Sequence, residues 1–266
     1  MSLLIGRRRA LLAPSARKRF VQDMTRLAGG DIRLFWAPQP IPAGVTVTYD
    51  ELGNPITWGT APAARIAAHG LGYSQSFDGA TAGHVGVIAD ADKFSFGDGS
   101  ADFPRGFSVF MVGNVTDSAA LRVPLAKDDV VTGREWDWRF SATDIQTVFF
   151  RDQSVPVNPT RDSDAAISMG AVHSYGWSYL PTGAGATAMN GVTQYEDGAV
   201  KASTATNQAT YVAQENTAGA LGLGGTSNSS NIYLGTISLM ILASGFIGAA
   251  AQLAMTARAL QFYGAF

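Results

Sequence analysis

The 266-residue chain contains no cysteine. That excludes disulfides and thiolate metal sites, and it fits a protein made in the cytoplasm. Charge is scarce, at 15% of residues, well below the ~25% of an ordinary soluble domain. The three histidines, His69, His84 and His173, show none of the spacings of a metal site. No Gly-rich turn leads from a strand into a helix, and no Ser-His-Asp set can be assigned, so neither phosphate-loop chemistry nor a hydrolase triad is indicated. The chain also lacks a clean membrane span. The stretch between Glu215 and Arg258 is uncharged, and its core, Ile232 to Met255, is long enough to cross a bilayer. It is interrupted by Gly235, Ser238, Ser244, Gly245, Gly248 and Gln252 and has no basic flank, so no membrane partner is expected. At the N-terminus Arg7, Arg8 and Arg9 break the apolar run, so no secretory leader is expected either.

What is present is a folding composition: 30 glycines, 11 prolines, 46% hydrophobic and 10% aromatic residues. The length allows one large β-sandwich or two small domains. The net charge of −2 conceals an asymmetry. Residues 1–33 hold eight of the 19 Lys and Arg and only two of the 21 acids, leaving the remainder strongly acidic. Such a basic arm suits an acidic partner surface, a second copy or nucleic acid. Nucleic acid is the weakest of these, because no aromatic residues interleave the Arg clusters.

Ser15 reads as a helix N-cap, with Phe20, Met24 and Leu27 at helical spacing and Gly29-Gly30 as the stop. Two readings fit this helix. It packs on its own body, or it docks on a partner through Arg17, Lys18, Arg19 and Arg26. Residues 31–37 read as a strand, interrupted by Pro38, Pro40 and Pro42. Val45 to Tyr49 and Ile56 to Trp58 read as a hairpin turning at Gly53-Asn54. Residues 59–70 read as irregular.

Strand signals then recur at 73–78, 84–88, 107–115, 121–126, 135–141, 145–151, 165–172, 174–180, 186–190, 192–196, 209–213, 220–224 and 231–243, the pattern of an all-β sandwich. The run 107–112 alternates with little polarity on either face, as in a strand covered on both sides. Asn190-Gly191 is the strongest hairpin signal. Phe246, Ala250, Leu253, Ala257 and Leu260 share one face of a C-terminal helix, read as the face packed on the sandwich. Residues 1–40 are read as a basic arm and helix, 41–72 as a β-rich connector and 73–266 as the sandwich.

Several motifs resemble, in order, the laminin-G-like and concanavalin A-like jelly roll. They are Ser76-Phe77-Asp78-Gly79 before Val85–Asp90, Phe94-Ser95-Phe96-Gly97 with Phe107-Ser108-Val109-Phe110, Leu125-Ala126-Lys127 before Glu135-Trp136, Met189-Asn190-Gly191-Val192, and Leu223-Gly224-Gly225 with Leu234-Gly235-Thr236-Ile237. The resemblance implies an antiparallel β-sandwich with a short N-terminal and a C-terminal helix. A basic start, an Arg-rich helix and Leu34-Phe35-Trp36-Ala37-Pro38 placed before such a domain resemble tailed-phage virion proteins. That likeness implies a capsid decoration or fibre protein located in the virion. Its partners would be capsid or tail subunits and further copies of itself, and Arg7, Arg8, Arg9, Arg17, Lys18, Arg19, Phe20 and Met24 would form the anchor.

Three constellations carry possible chemistry. Tyr175, Trp177 and Tyr179 share one strand face and would stack on a host glycan, as in carbohydrate-binding sandwiches, unless they fill the core. Asp90, Asp92, Asp98 and Asp102 form an oxygen-rich loop that suits Ca²⁺, as laminin-G relatives often carry, or serve as solvated turn residues. Glu135-Trp136-Asp137-Trp138-Arg139 is similar to the E-x-D-x-E strand of jelly-roll glucanases. Arg139 replaces the second glutamate and can neither donate nor accept the catalytic proton at neutral pH, so no enzyme is expected. The alternative is a charge ladder outside a Trp-filled core.

Overall fold

The structure, a computed structural model, describes residues 15–29, 31–99, 105–117, 119–129 and 133–264. Helix α1 (Ala16–Ala28) is followed by β1 (Asp31–Trp36), β2 (Val47–Tyr49), β3 (Pro55–Trp58), β4 (Ile66–His69), β5 (Gly72–Asp78) and β6 (Gly86–Ile88). Next come β7 (Phe107–Val115), β8 (Arg122–Lys127), β9 (Trp136–Phe140), β10 (Gln146–Phe150), β11 (Thr160–Ser163) and β12 (Val172–Tyr179). The chain closes with β13 (Val192–Glu196), β14 (Ala199–Lys201), β15 (Ser203–Thr206), β16 (Leu221–Leu223), β17 (Leu234–Ser244) and helix α2 (Ala249–Tyr263).

Among the described residues the strands form two antiparallel sheets, as a concanavalin A-like sandwich requires. The first runs β14-β13-β12-β7-β17-β5-β4, with β1 also paired to β17. The second runs β15-β11-β10-β9-β8-β16-β6-β3-β2. Between them lies one core that includes Phe107, Val109, Met111, Trp136, Trp138, Trp177, Met240 and Leu242. The opposite face of the first sheet is covered by both helices. Phe110, Val112, Leu239 and Ile241 meet Phe20, Met24, Met255 and Phe262 there. The central strands β7 and β17 are therefore buried on both faces, which is why neither shows polar alternation. The apolar run at 232–255 is this strand followed by α2, and no described helix is long and apolar enough to cross a membrane.

Helix α1 starts where Ser15 Oγ accepts from the Lys18 amide at 3.2 Å and stops at Gly29, whose φ of 64° suits a residue without Cβ. It packs on its own body. Phe20 stacks on Phe262 at 4.1 Å, and Asp23 accepts from Arg258 at 2.9 Å. For α2 the expected face is reversed. Gln252, Met255, Ala259 and Phe262 face the sheet, while Phe246, Leu253 and Leu260 are exposed.

The connector expected at 41–72 has no core of its own. It supplies β2 and β3 to the second sheet and β4 to the first, and Ile56 and Trp58 enter the common core. The segment expected at 165–172 forms no strand before Val172, which opens β12, 209–213 forms none, and 186–190 lies in a 3-10 helix, Gly185–Gly191. Asn190-Gly191 thus ends that helix rather than turning a hairpin. The tight turn is Asp197-Gly198, φ 48° and 77°, joining β13 to β14. The strands β15, at the sheet edge, and β11, beside it, are of polar sequence, so no apolar alternation marks them.

Candidate functional site

The site follows from how β17 changes neighbours. Its first residues, Leu234 to Ile237, pair with β5, and Met240 to Ser244 pair with β1. In between, β1 ends at Trp36 while β5 turns away to pair with β4. The gap opens as a cleft of about 280 Å³, walled by residues 36–42, by Val45, Val47, Thr48 and Tyr49, and by Ile66 and Gln75. That volume lies just below the ~300–1,000 Å³ of drug-sized sites, so it suits one small ring rather than a long chain.

The lining is aromatic and apolar with few polar groups. Trp36 is buried in the cleft wall, and Tyr49, 65% exposed, stands at its rim. Thr48 Oγ1 accepts from Trp58 Nε1 at 2.9 Å. Gln75 is 1% exposed, and its Nε2 has no hydrogen-bond partner among the described residues. None of the thirteen lining residues is Asp, Glu, Lys, Arg or His. Pro38, Pro40 and Pro42 fix φ along the loop that walls the cleft, which stiffens it.

Helix α1 holds this loop in place. Arg17 donates to the Ala37 carbonyl at 2.8 Å and pairs with Glu51. Glu51 in turn accepts from Gln39 Nε2 at 3.3 Å. The hairpin beyond is pinned by buried Asp50, whose Oδ2 accepts from the Phe35 amide at 3.0 Å and whose Oδ1 accepts from the Asn54 amide at 2.8 Å.

The structure redistributes the residues expected from sequence. Tyr175, Trp177 and Tyr179 are buried in the inter-sheet core, with Phe107 within 4.8 Å of Trp177, so none is available to stack on a surface glycan. Burial also pushes the Tyr179 phenol up to about 12. Phe20 and Met24 are likewise internal, which corrects their reading as anchors, while Lys18 and Arg19 are exposed. Arg7, Arg8, Arg9 and Asp102 lie outside the described residues. The Ca²⁺ set is not assembled. Asp90 pairs with Lys127 at 2.8 Å, Asp92 accepts from Asn216 at 3.0 Å, and no group of three or more His, Asp or Glu is placed to hold a metal among the described residues. The sequence marks Trp36 as a strand residue of the virion-like motif and Tyr49 as a hairpin residue, and it does not single out Gln75. The available signal was an amide two positions before Phe77, on an inward-facing strand position.

The Glu135 strand is sealed. Trp136 and Trp138 enter the core, and Asp137 pairs with Arg139, which lies over Phe149 at 4.4 Å. Glu135 is fully buried rather than part of an outer ladder. Its Oε1 accepts from Lys127 at 2.5 Å and from the Thr217 amide at 2.8 Å, while Oε2 has no partner among the described residues. Burial pushes its carboxyl up to about 7, against the pull of Lys127 and Thr217. A raised carboxyl is suited to acid catalysis, but this one is 0% exposed and pairs with a lysine rather than a second carboxylate.

No protein-family model and no curated protein matches the chain. Solved structures do. The binding domain of Paraclostridial Mosquitocidal Protein 1 superposes with a TM-score of 0.59 at 9% identity, over 90% of this chain and 56% of that one. The ligand-binding domain of botulinum neurotoxin serotype D, in complex with N-acetylneuraminic acid, gives 0.57 at 10% identity, over 88% and 52%. A Trypanosoma rangeli sialidase gives 0.52 at 10% identity, over 90% and 38%. The chain spans about half the length of the two toxin domains. At these identities the likeness establishes the fold and nothing finer.

Proposed function

We propose that this protein is a non-catalytic carbohydrate-binding protein that holds one sugar residue in the cleft beneath its proline-rich loop. The observation that carries this reading is the cleft itself. It has an exposed aromatic rim in Tyr49, an apolar wall that includes Ile41, Val45 and Val47, side-chain amides in Gln39 and Gln75, and a loop stiffened by three prolines. Aromatic faces suit the C–H surface of a sugar, and a few placed amides suit its polar groups. The fold supports the reading by analogy, since the botulinum domain above carries a bound sugar acid.

The anchoring role read from the N-terminus has lost its apolar half, because Phe20 and Met24 are taken up in the contact between the two helices and the first sheet. Attachment to a virion is compatible with glycan binding, but no described residue favours it.

Glycan-array screening followed by titration calorimetry on the whole chain tests the proposal. Binding that Tyr49→Ala weakens at least about tenfold, with an unchanged circular-dichroism spectrum, is the expected result, since hot-spot aromatics contribute at that scale. Binding that survives Tyr49→Ala intact would remove the cleft from consideration.

A further inference from the structure

We infer that the folded chain joins Lys127 to Asp90 through an intramolecular amide bond, with Glu135 relaying the proton. The bond ties the end of β6 to the end of β8 across β16 in the second sheet. It is independent of the carbohydrate reading.

Strand register brings the groups together. Lys127 ends β8 and pairs with Leu221 of β16. On its other side Leu221 pairs with Ile88, the last residue of β6, shortly before Asp90. The Lys127 side chain is 0% exposed and lies between two carboxylates, 2.8 Å from Asp90 Oδ1 and 2.5 Å from Glu135 Oε1. Its third contact is the Thr217 carbonyl at 3.0 Å. The two carboxylates differ. Asp90 keeps 32% of its side chain exposed, so water released there has a way out. Glu135 is sealed. Its Oε1 accepts from the Ser95 hydroxyl at 3.1 Å and from the Thr217 amide and hydroxyl at 2.8 and 3.1 Å, while Oε2 has no partner among the described residues.

A lysine amine held out of water against a carboxyl carbon is a nucleophile once it loses a proton. Glu135 is placed to take that proton. Burial pushes its carboxyl up to about 7, so it can hold the proton and return it near neutral pH. Glu135 passes the proton to the Asp90 carboxylate, and Lys127 Nζ attacks Cγ. The Nζ–Cγ bond forms, one Cγ–O bond breaks, and the oxygen leaves as water with two of the three ammonium protons. Glu135 ends as it began, and no oxidant or cofactor enters. One positive and one negative charge disappear together, which removes the cost of burying the ammonium. The fold supplies the proximity, since both groups are held in contact before reaction. Asp90 and Lys127 are 37 residues apart in the chain. Closing that loop constrains the unfolded chain as a disulfide does, in a protein without cysteine. It also bridges β16, which is only three residues long.

Mass spectrometry of the whole purified chain tests the inference. The intact mass should fall short of the sequence by one water, and a tryptic digest should contain a branched peptide joining the Asp90 segment to the Lys127 segment. Lys127→Arg and Asp90→Ala should each restore the full mass. Glu135→Gln, with an unchanged circular-dichroism spectrum, should lose most of the branched peptide. Full mass in the native chain, with trypsin cutting after Lys127, overturns the inference and leaves a buried ion pair. A missing water that maps elsewhere, such as a succinimide at Asp197-Gly198, overturns it as well. A branched peptide that forms as fully in Glu135→Gln overturns the relay. The measurement on the native chain stands whether or not the variants fold.

Discussion

The Tyr263 hydroxyl donates a 2.6 Å hydrogen bond to the carbonyl of Ser238, the residue after β17 stops pairing with β5 and before it pairs with β1. The Ser238 hydroxyl meets His69 Nδ1 at 2.7 Å. Burial pushes the Tyr263 phenol well above its ordinary range and lowers the His69 imidazole, which favours the neutral forms of both. The end of the last helix therefore satisfies the polar groups at the point where the sheet splits, and the split is what opens the cleft.

Tyr263→Phe keeps the ring but leaves a buried carbonyl unpaired. A loss of about 1–3 kcal/mol is expected in urea unfolding, with weaker sugar binding because the edge of the cleft loosens. An unchanged stability would show that Ser238 finds another donor.

The reversed face of α2 separates two substitutions. Met255→Ala empties a fully buried site and should cost about 2–5 kcal/mol. Leu253→Gln, at a position 57% exposed, should stay within about 0.5 kcal/mol. The opposite order in chemical denaturation would restore the face expected from sequence.

Arg17→Ala removes both the bond to Ala37 and the pair with Glu51. Sugar affinity measured by calorimetry should fall several-fold, with a stability loss of about 1 kcal/mol, because Arg17 positions the loop without touching ligand. Affinity partly rescued by Arg17→Lys would fit this positioning role, and no change in affinity would deny it.

Trp177→Ala should cost about 3–5 kcal/mol through a core cavity, and any loss of glycan binding should track unfolding. A folded Trp177→Ala variant that has lost binding would return the site to β12.

Glu135 makes stability depend on pH. Its folded pKa of about 7 lies above the ordinary 4.5, so its contribution is fully present below about 4.5 and is lost as pH rises through about 7. The melting temperature should therefore fall between pH 5 and 8, and Glu135→Gln should flatten that slope. A slope that survives in the variant would assign it to other groups.

Much of the sandwich is legible in the residues. The unpolar alternation at 107–112, the capping Ser15 and Gly29, and the Gly53-Asn54 turn each describe a local preference that the tertiary contacts reinforce. The strands β11, β14 and β15 are not legible, because β11 and β15 are polar and β14 is only three residues long, so none carries a hydrophobic period.

The sequence by itself determined an all-β chain with a helix near each end, one central strand covered on both faces, and the absence of thiol chemistry. Tertiary structure alone decided the rest. Periodicity marks a face as distinct but does not say what covers it. The three aromatics of β12 therefore went to the core, and the stripe Phe246-Leu253-Leu260 went to solvent, because α2 is apolar on both sides. The cleft was invisible for the same reason. Trp36, Tyr49 and Gln75 are far apart in the chain, and only the partner exchange along β17 brings them around one space.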